Sequence, residues 1–370
     1  AVIYASGHTE NGFRSEVYQH IIIHLVKKGF AVFAFDAVGH GERWQYFEDE
    51  QNRRFRGSTI EHSYPGAQCY ISGHSPTNYF VWDGIRSVDY LLTRKEIDPE
   101  RIGMTGRSGG GTQTAYTAAM DDRILAAAPE CFITKMEYIL KSIGPQDAEQ
   151  NLYAMMAEGL DHADLLEVRA PKPTLMITTT RDFFSIQGAR ETYQEVKQFY
   201  QGLNAANNIH MVEDDAEHKS TQKNREAMYA FFQKHLNNPG SSADLEVEVL
   251  PEQELWVTEQ GKVASIPAAE SLFSLNKKAV QEQVEVLQRQ RSQTSETAAL
   301  LSVAKKASGF SYPNQFGAPV FSGRFQEEQY LFERYLLPGG GDYQLPLGVF
   351  IPRKSSDGAT VLLLDEQGMA

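Results

Sequence analysis

Gly106-Arg107-Ser108-Gly109-Gly110 sets a serine in a G-x-S-x-G run. Arg101 to Thr105 before it reads as a strand, and Gly109 to Met120 after it reads as a helix of small residues. In that setting the serine sits on a sharp strand-to-helix turn, with its hydroxyl projecting above a sheet as a nucleophile requires. The glycines let backbone segments approach closely. The N–H of Gly109, at the start of the helix, points where an oxyanion develops. A serine hydroxyl also needs a base, and the base needs an acid to orient it. On such a turn they follow along the chain in the order serine, acid, histidine. Asp182 follows the apolar run Leu175 to Thr179, and His218 follows Ile209 to Val212. Glu130, after Ile124 to Ala128, is the reserve acid. The second oxyanion donor is expected in the loop Ser6 to Gly12, at the backbone N–H of His8 or Thr9.

Other side chains are candidates for the pocket rather than the reaction. Arg107 stands beside the nucleophile and either meets an acidic group of the substrate or braces the turn. His40, His62 and His74 lie in or near a segment from 44 to 75 that reads as a long loop, and His40 and His74 are expected near the substrate. His20 and His24 are four apart on a helix but have no third ligand in view, so a structural role is expected. No zinc-type spacing and no glycine-rich phosphate loop is present. Acyl-enzyme chemistry with neither metal nor organic cofactor follows. Cys69 and Cys131 either pair or stay as buried thiols.

These residues need a scaffold. Residues 1–237 alternate short apolar runs with amphipathic stretches, and repeated β-α-β alternation implies a parallel sheet covered on both faces. Strands are expected near residues 2–5, 30–35, 101–105, 124–128, 175–179 and 209–212, with helices over 15–28, 77–94, 109–120, 186–203 and 219–236. Residues 134–160 read as mostly helical. Turn-rich residues 237–244 mark a boundary, giving a catalytic domain over 1–240 and a second segment over 241–370. In that segment 245–265 and 316–364 read as strands and 268–306 as helix, with a turn at Gly339 to Asp342. Ala359 to Asp365 resembles Ala1 to Gly7, a strand running into a polar turn. Both ends read as buried strands, so the chain is expected to be a piece of a longer protein.

Composition narrows the partners. With 41% hydrophobic and 22% charged residues, the chain is too apolar to be disordered. Its 35 basic and 48 acidic residues give a net charge of −13, which argues against nucleic acid and against an anionic membrane surface.

Together these segments resemble a known family. Ser6 to Gly12, Asp36-Ala37-Val38-Gly39-His40-Gly41-Glu42-Arg43, Trp82 to Arg86, Asp98 to Gly103, Gly106 to Thr114 and Asp182-Phe183-Phe184 are similar to the α/β-hydrolase superfamily, and within it to acetyl xylan esterase-like bacterial hydrolases. The resemblance implies an α/β fold with a mostly parallel sheet and helices on both faces. It implies Ser108 as nucleophile, Asp182 as acid and His218 as base. It also implies carbohydrate ester substrates and a periplasmic or secreted location. Two departures stand out: strands that usually precede the first one here are missing, and Lys219-Ser220 follows His218 where a glycine is common. Residues 241–370 resemble the start of a second hydrolase-like unit, an α+β segment that ends before any second nucleophile turn.

Overall fold

A computed structural model describes all residues except 50, 51, 56, 294–296, 312–316, 341–342, 355–357, 359 and 365–370. The chain forms two compact units, Ala1–Gln288 and Arg289–Ala370.

In the first unit β1 (Val2–Ala5) leads to α1 (Glu16–Lys27), β2 (Val32–Phe35), α2 (Ser58–Ile71) and α3 (Thr77–Leu91). Then come β3 (Gly103–Arg107), α4 (Gly109–Met120), β4 (Ala126–Glu130), α5 (Met136–Ser142) and α6 (His162–Glu167). It continues with β5 (Thr174–Thr179), α7 (Ile186–Gly202), β6 (Ile209–Asp214) and α8 (Gln222–His235). The strands form one parallel sheet in the order β2-β1-β3-β4-β5-β6. Every residue of β1, β4 and β5 is buried, as expected where helices cover both faces. Alternate residues of β1 serve opposite faces. Val2 and Tyr4 pack with Tyr18, Ile21 and Leu25 of α1 and with Phe232 of α8. Ile3 and Ala5 pack with Val88 and Leu91 of α3 and Ala118 of α4. From β1 the chain steps outward to β2 and returns on the other side as β3. The crevice above the ends of β1 and β3 is therefore a switch point, where ligands gather on open parallel sheets.

Several local expectations are corrected. Residues 58–71 are helix α2, not loop; Pro65 inside the helix and a weak apolar stripe hide its period. Within 134–160 only Met136–Ser142 and a short turn at Ala148–Gln150 are helical, because Gly144-Pro145 stops α5. Residues 245–265 hold no strand. This segment lies along α1 and is held by side chains. The N–H of Leu245 donates to His24 Nε2 at 2.8 Å, and that of Leu250 to Gln19 Oε1 at 2.8 Å. Cys69 and Cys131 are free buried thiols.

One charged knot ties the segment down. Buried Arg14 meets Asp36 and Glu42, and Glu42 accepts from the N–H groups of Val257 and Thr258 at 2.7 Å each. Burial pushes the Glu42 carboxyl up, but the Thr258 hydroxyl, the two amides and Arg14 outweigh it and leave it below its ordinary value. A carboxyl depressed in the fold stabilises above its unfolded pKa, and that contribution is lost as pH falls through the folded value. Hydrogen exchange should show the Val257 and Thr258 amides losing protection only as pH falls below the ordinary carboxylate range. In Glu42→Gln the same amides should be poorly protected throughout. Protection unchanged by acid and by the variant contradicts the assignment.

Helix α9 (Leu272–Gln293) ends beyond the first unit. The second unit holds α10 (Thr297–Ser308) and a separate antiparallel sheet of β7 (Val320–Gln326), β8 (Tyr330–Pro338) and β9 (Gln344–Pro352), in the order β7-β8-β9. Thr360 to Leu364, expected as a strand, has no strand pairing. Gly341-Asp342 of the expected turn, and both ends of the 359–365 segment, lie outside the described residues. No helix among the described residues is long and apolar enough to cross a membrane.

Candidate active site

The turn after β3 is strained where the sequence places its serine. Ser108 has φ 60° and ψ −123°, a region that L residues rarely occupy. Its N–H donates to the Glu130 carbonyl at 2.9 Å, and its own carbonyl accepts from the Thr112 N–H at 2.9 Å. A Cβ on Gly106 or Gly110 would lie 2.2 or 2.1 Å from the Ala5 carbonyl oxygen. Both glycines are thus required by the close passage of β1, and the turn cannot relax outward.

The sheet ends bring the acid and the histidine together. His218 Nδ1 lies 2.8 and 2.9 Å from the two oxygens of Asp182. Asp182 also accepts from the Phe184 N–H at 3.0 Å and the Thr179 hydroxyl at 3.2 Å. Its side chain is 2% exposed and that of His218 is 19% exposed. An ionised carboxylate only accepts, so Nδ1 carries the proton and Nε2 presents a lone pair. The Phe183 ring lies 4.3 Å from the imidazole. Ser185, not Asp182, caps α7, accepting from the Gly188 N–H at 3.3 Å. Ser108 and His218 line one pocket of about 290 Å³, together with Tyr18, Arg107, Phe183 and Phe184.

Gly109 opens α4 beneath this pocket. A Cβ there would lie 2.8 Å from His8 Cε1, so the His8 imidazole rests against the helix start and itself lines the pocket. A Cβ on Gly7 would lie 2.4 Å from the Arg107 carbonyl oxygen, which presses the loop carrying His8 and Thr9 onto the turn. The Thr9 hydroxyl accepts from the Asn11 N–H at 3.4 Å.

The remaining candidates separate. Arg107 lines the pocket, with its guanidinium 5.4 Å over the Tyr18 ring. Burial lowers the Arg107 pKa, but Tyr18 and Glu130 outweigh it and leave it raised. Glu130 is 3% exposed; burial raises its carboxyl pKa while Arg107 opposes the rise. Glu130 thus answers a buried cation, and Asp182 holds His218. His74 sits between the Ser72 hydroxyl at 3.0 Å and Asn276 at 3.3 Å. His40 is 1% exposed, with its ring packed on His8 and His62. Neither His40 nor His74 is among the residues lining the pocket. Thr59, Gln146, Asp147 and Gln150 do line it. No motif marks those positions; only the return of 146–150 across the sheet end could have drawn attention to them.

A second group adjoins the pocket. His8, His62, Asp147 and Glu149 bring their ligand atoms within 4.8 Å of one another. Another trio, His20, His24 and Asp244, is also close. There, however, His24 Nδ1 meets the His20 carbonyl at 2.6 Å and Nε2 accepts from Leu245, so both ring nitrogens are used by backbone.

A parallel sheet, crossover helices on both faces and a strained serine turn at the switch point define the α/β-hydrolase fold, as the sequence resemblance implies. Residues 78–239 match the prolyl oligopeptidase family. Over 217 residues the chain is 24% identical to "Putative hydrolase YtaP" of Bacillus subtilis (strain 168), covering 57% of this chain and 67% of that one. Among solved structures it is similar to "Methylesterase BT1017", with TM-score 0.58 and 23% identity, covering 77% of this chain and 61% of that one. The chain therefore spans less than two thirds of that protein's length. A carbohydrate esterase family 15 glucuronoyl esterase from Caldicellulosiruptor kristjansonii aligns with TM-score 0.46 and 16% identity, covering 69% of this chain and 73% of that one.

Proposed function

We propose that this chain is a serine ester hydrolase that removes acyl groups, acetyl first, from polysaccharide. The observation that carries the reading is the Asp182–His218 pair at 2.8 Å beside a strained Ser108 in one pocket. Ser108 Oγ attacks the ester carbonyl and His218 Nε2 takes its proton. Asp182 holds Nδ1–H and stabilises the imidazolium. The Gly109 N–H and a second N–H at His8 or Thr9 hold the oxyanion. His218 then returns the proton to the departing sugar alcohol, leaving acyl-Ser108. Water, activated by the same imidazole, releases the acid. Each step uses side chains and backbone of this chain alone. A periplasmic or secreted location, as the family resemblance implies, suits a polymeric carbohydrate substrate, and the proposed reaction calls on no nucleic acid or membrane.

A second reading is hydrolysis of uronic acid methyl esters. It is favoured by the Arg107 cation at the pocket wall, suited to acidic sugars, and by the likeness to a structure titled a methylesterase. Parallel assays on acetylated xylan, methyl-esterified pectin and aminoacyl nitroanilides separate the readings. Acetate release is expected to dominate. Methanol release in its place selects the second reading, and turnover of the anilides alone contradicts both and leaves a peptidase.

A further inference from the structure

We infer that His8, His62, Asp147 and Glu149 form a binding site for a divalent transition metal, zinc first, which locks the wall of the pocket. Their donor atoms converge from three separated segments: the loop after β1, helix α2 and the 147–149 turn. His8 Nε2 lies 2.7 Å from Asp147 Oδ2 and 2.9 Å from Glu149 Oε1. His62 Nδ1 lies 3.2 Å from Asp147 Oδ2 and 3.0 Å from Glu149 Oε2. The two imidazole nitrogens are 3.2 Å apart. A tetrahedral zinc with bonds of about 2.0 Å holds its ligands about 3.3 Å apart, so a small outward shift admits the ion.

Three features point to a cation rather than to a hydrogen-bonded knot. First, His62 Nε2 lies 2.7 Å from the Val38 carbonyl oxygen, which only accepts. The proton of a neutral ring is therefore on Nε2, and Nδ1 turns a lone pair toward two carboxylates. A ligating histidine is oriented in this way, by donating its other N–H to backbone. Second, the Glu149 side chain is 1% exposed, and neither of its oxygens is aligned for a hydrogen bond despite the close nitrogens. Third, both ring nitrogens of His40 are buried without a hydrogen-bond partner among the described residues, and one lies within 4.8 Å of the donor atoms of His8 and His62. An entering divalent ion takes the place of the imidazole protons, and the two buried carboxylates then match its charge. Imidazole with carboxylate suits zinc better than magnesium or calcium, which prefer all-oxygen sites.

The proposal departs from the metal-free reading of the sequence. The ion takes no part in the serine chemistry; it joins the loop carrying His8 to α2 and to the turn that brings Asp147 to the pocket. The test uses the full chain, stripped with chelator and titrated with Zn²⁺ against a chromophoric competitor. About one zinc per chain is expected, with a raised thermal midpoint. Glu149→Gln and His62→Ala should each weaken zinc by roughly 100-fold. His20→Ala should leave it unchanged. Cobalt(II) added to the unsubstituted stripped chain should give visible ligand-field bands of an imidazole-carboxylate site, a readout that needs no variant to fold. Failure of the stripped chain to take up zinc, or uptake equally tight in both ligand variants, overturns the proposal.

Discussion

Ser108→Ala is expected to lower the kcat for ester hydrolysis by roughly 10⁴- to 10⁶-fold, because the covalent route is lost entirely. KM should move little, since the hydroxyl contributes mainly at the transition state. The thermal midpoint should stay within a few degrees of the unsubstituted chain. The turn is held by backbone bonds from Ser108 to Glu130 and from Thr112 to Ser108, which alanine retains. Steady-state kinetics with a melting curve check both halves. A variant keeping a tenth of its activity contradicts the nucleophile assignment.

Asp182→Asn is the second large effect, a fall of roughly 10⁴-fold in kcat. The amide fills the same space; its oxygen, at the Oδ1 position, still accepts from the Phe184 N–H, and its NH2, at the Oδ2 position, donates to the Thr179 hydroxyl oxygen instead of accepting from it, so the loop stays in place. The change lies in the proton. An amide nitrogen facing His218 favours the lone pair on Nδ1 and puts the hydrogen on Nε2, where it cannot take a proton from Ser108. Residues that act as a unit are not additive, so Ser108→Ala with Asp182→Asn should be no slower than Ser108→Ala alone. Near-normal turnover in Asp182→Asn, with loss in Glu130→Gln, would move the acid to Glu130.

The sheet was legible because each strand is a short apolar run between polar turns, and a strand buried on both faces leaves that mark plainly in sequence. Every expected strand of the sheet is found within two or three residues of its place. Ser108, Asp182 and His218 were legible for the same reason: each follows a strand, so local reading put all three at one edge of the sheet. Helix α2 was hidden by Pro65 and Gly66 in its middle. The 245–265 stretch reads as strand but pairs with none: it turns at Glu252–Leu255 and Val263–Ser265, and backbone N–H groups of Leu245, Leu250 and Val257 are satisfied by His24, Gln19 and Glu42 rather than by a neighbouring strand. The cluster of His8, His62, Asp147 and Glu149 left no motif, since its members come from segments far apart in sequence. Only folding reveals that His62, read as one histidine in a loop, faces the same point as His8.

Covalent reaction at Ser108 tests the serine mechanism most directly. The full chain would be treated with a fluorophosphonate and the adduct mapped by peptide mass spectrometry. The predicted result is one phosphonylated residue, Ser108, with labelling slowed by orders of magnitude in His218→Ala. Absence of an adduct on a folded chain, or an adduct at another serine with Ser108 unmodified, contradicts it.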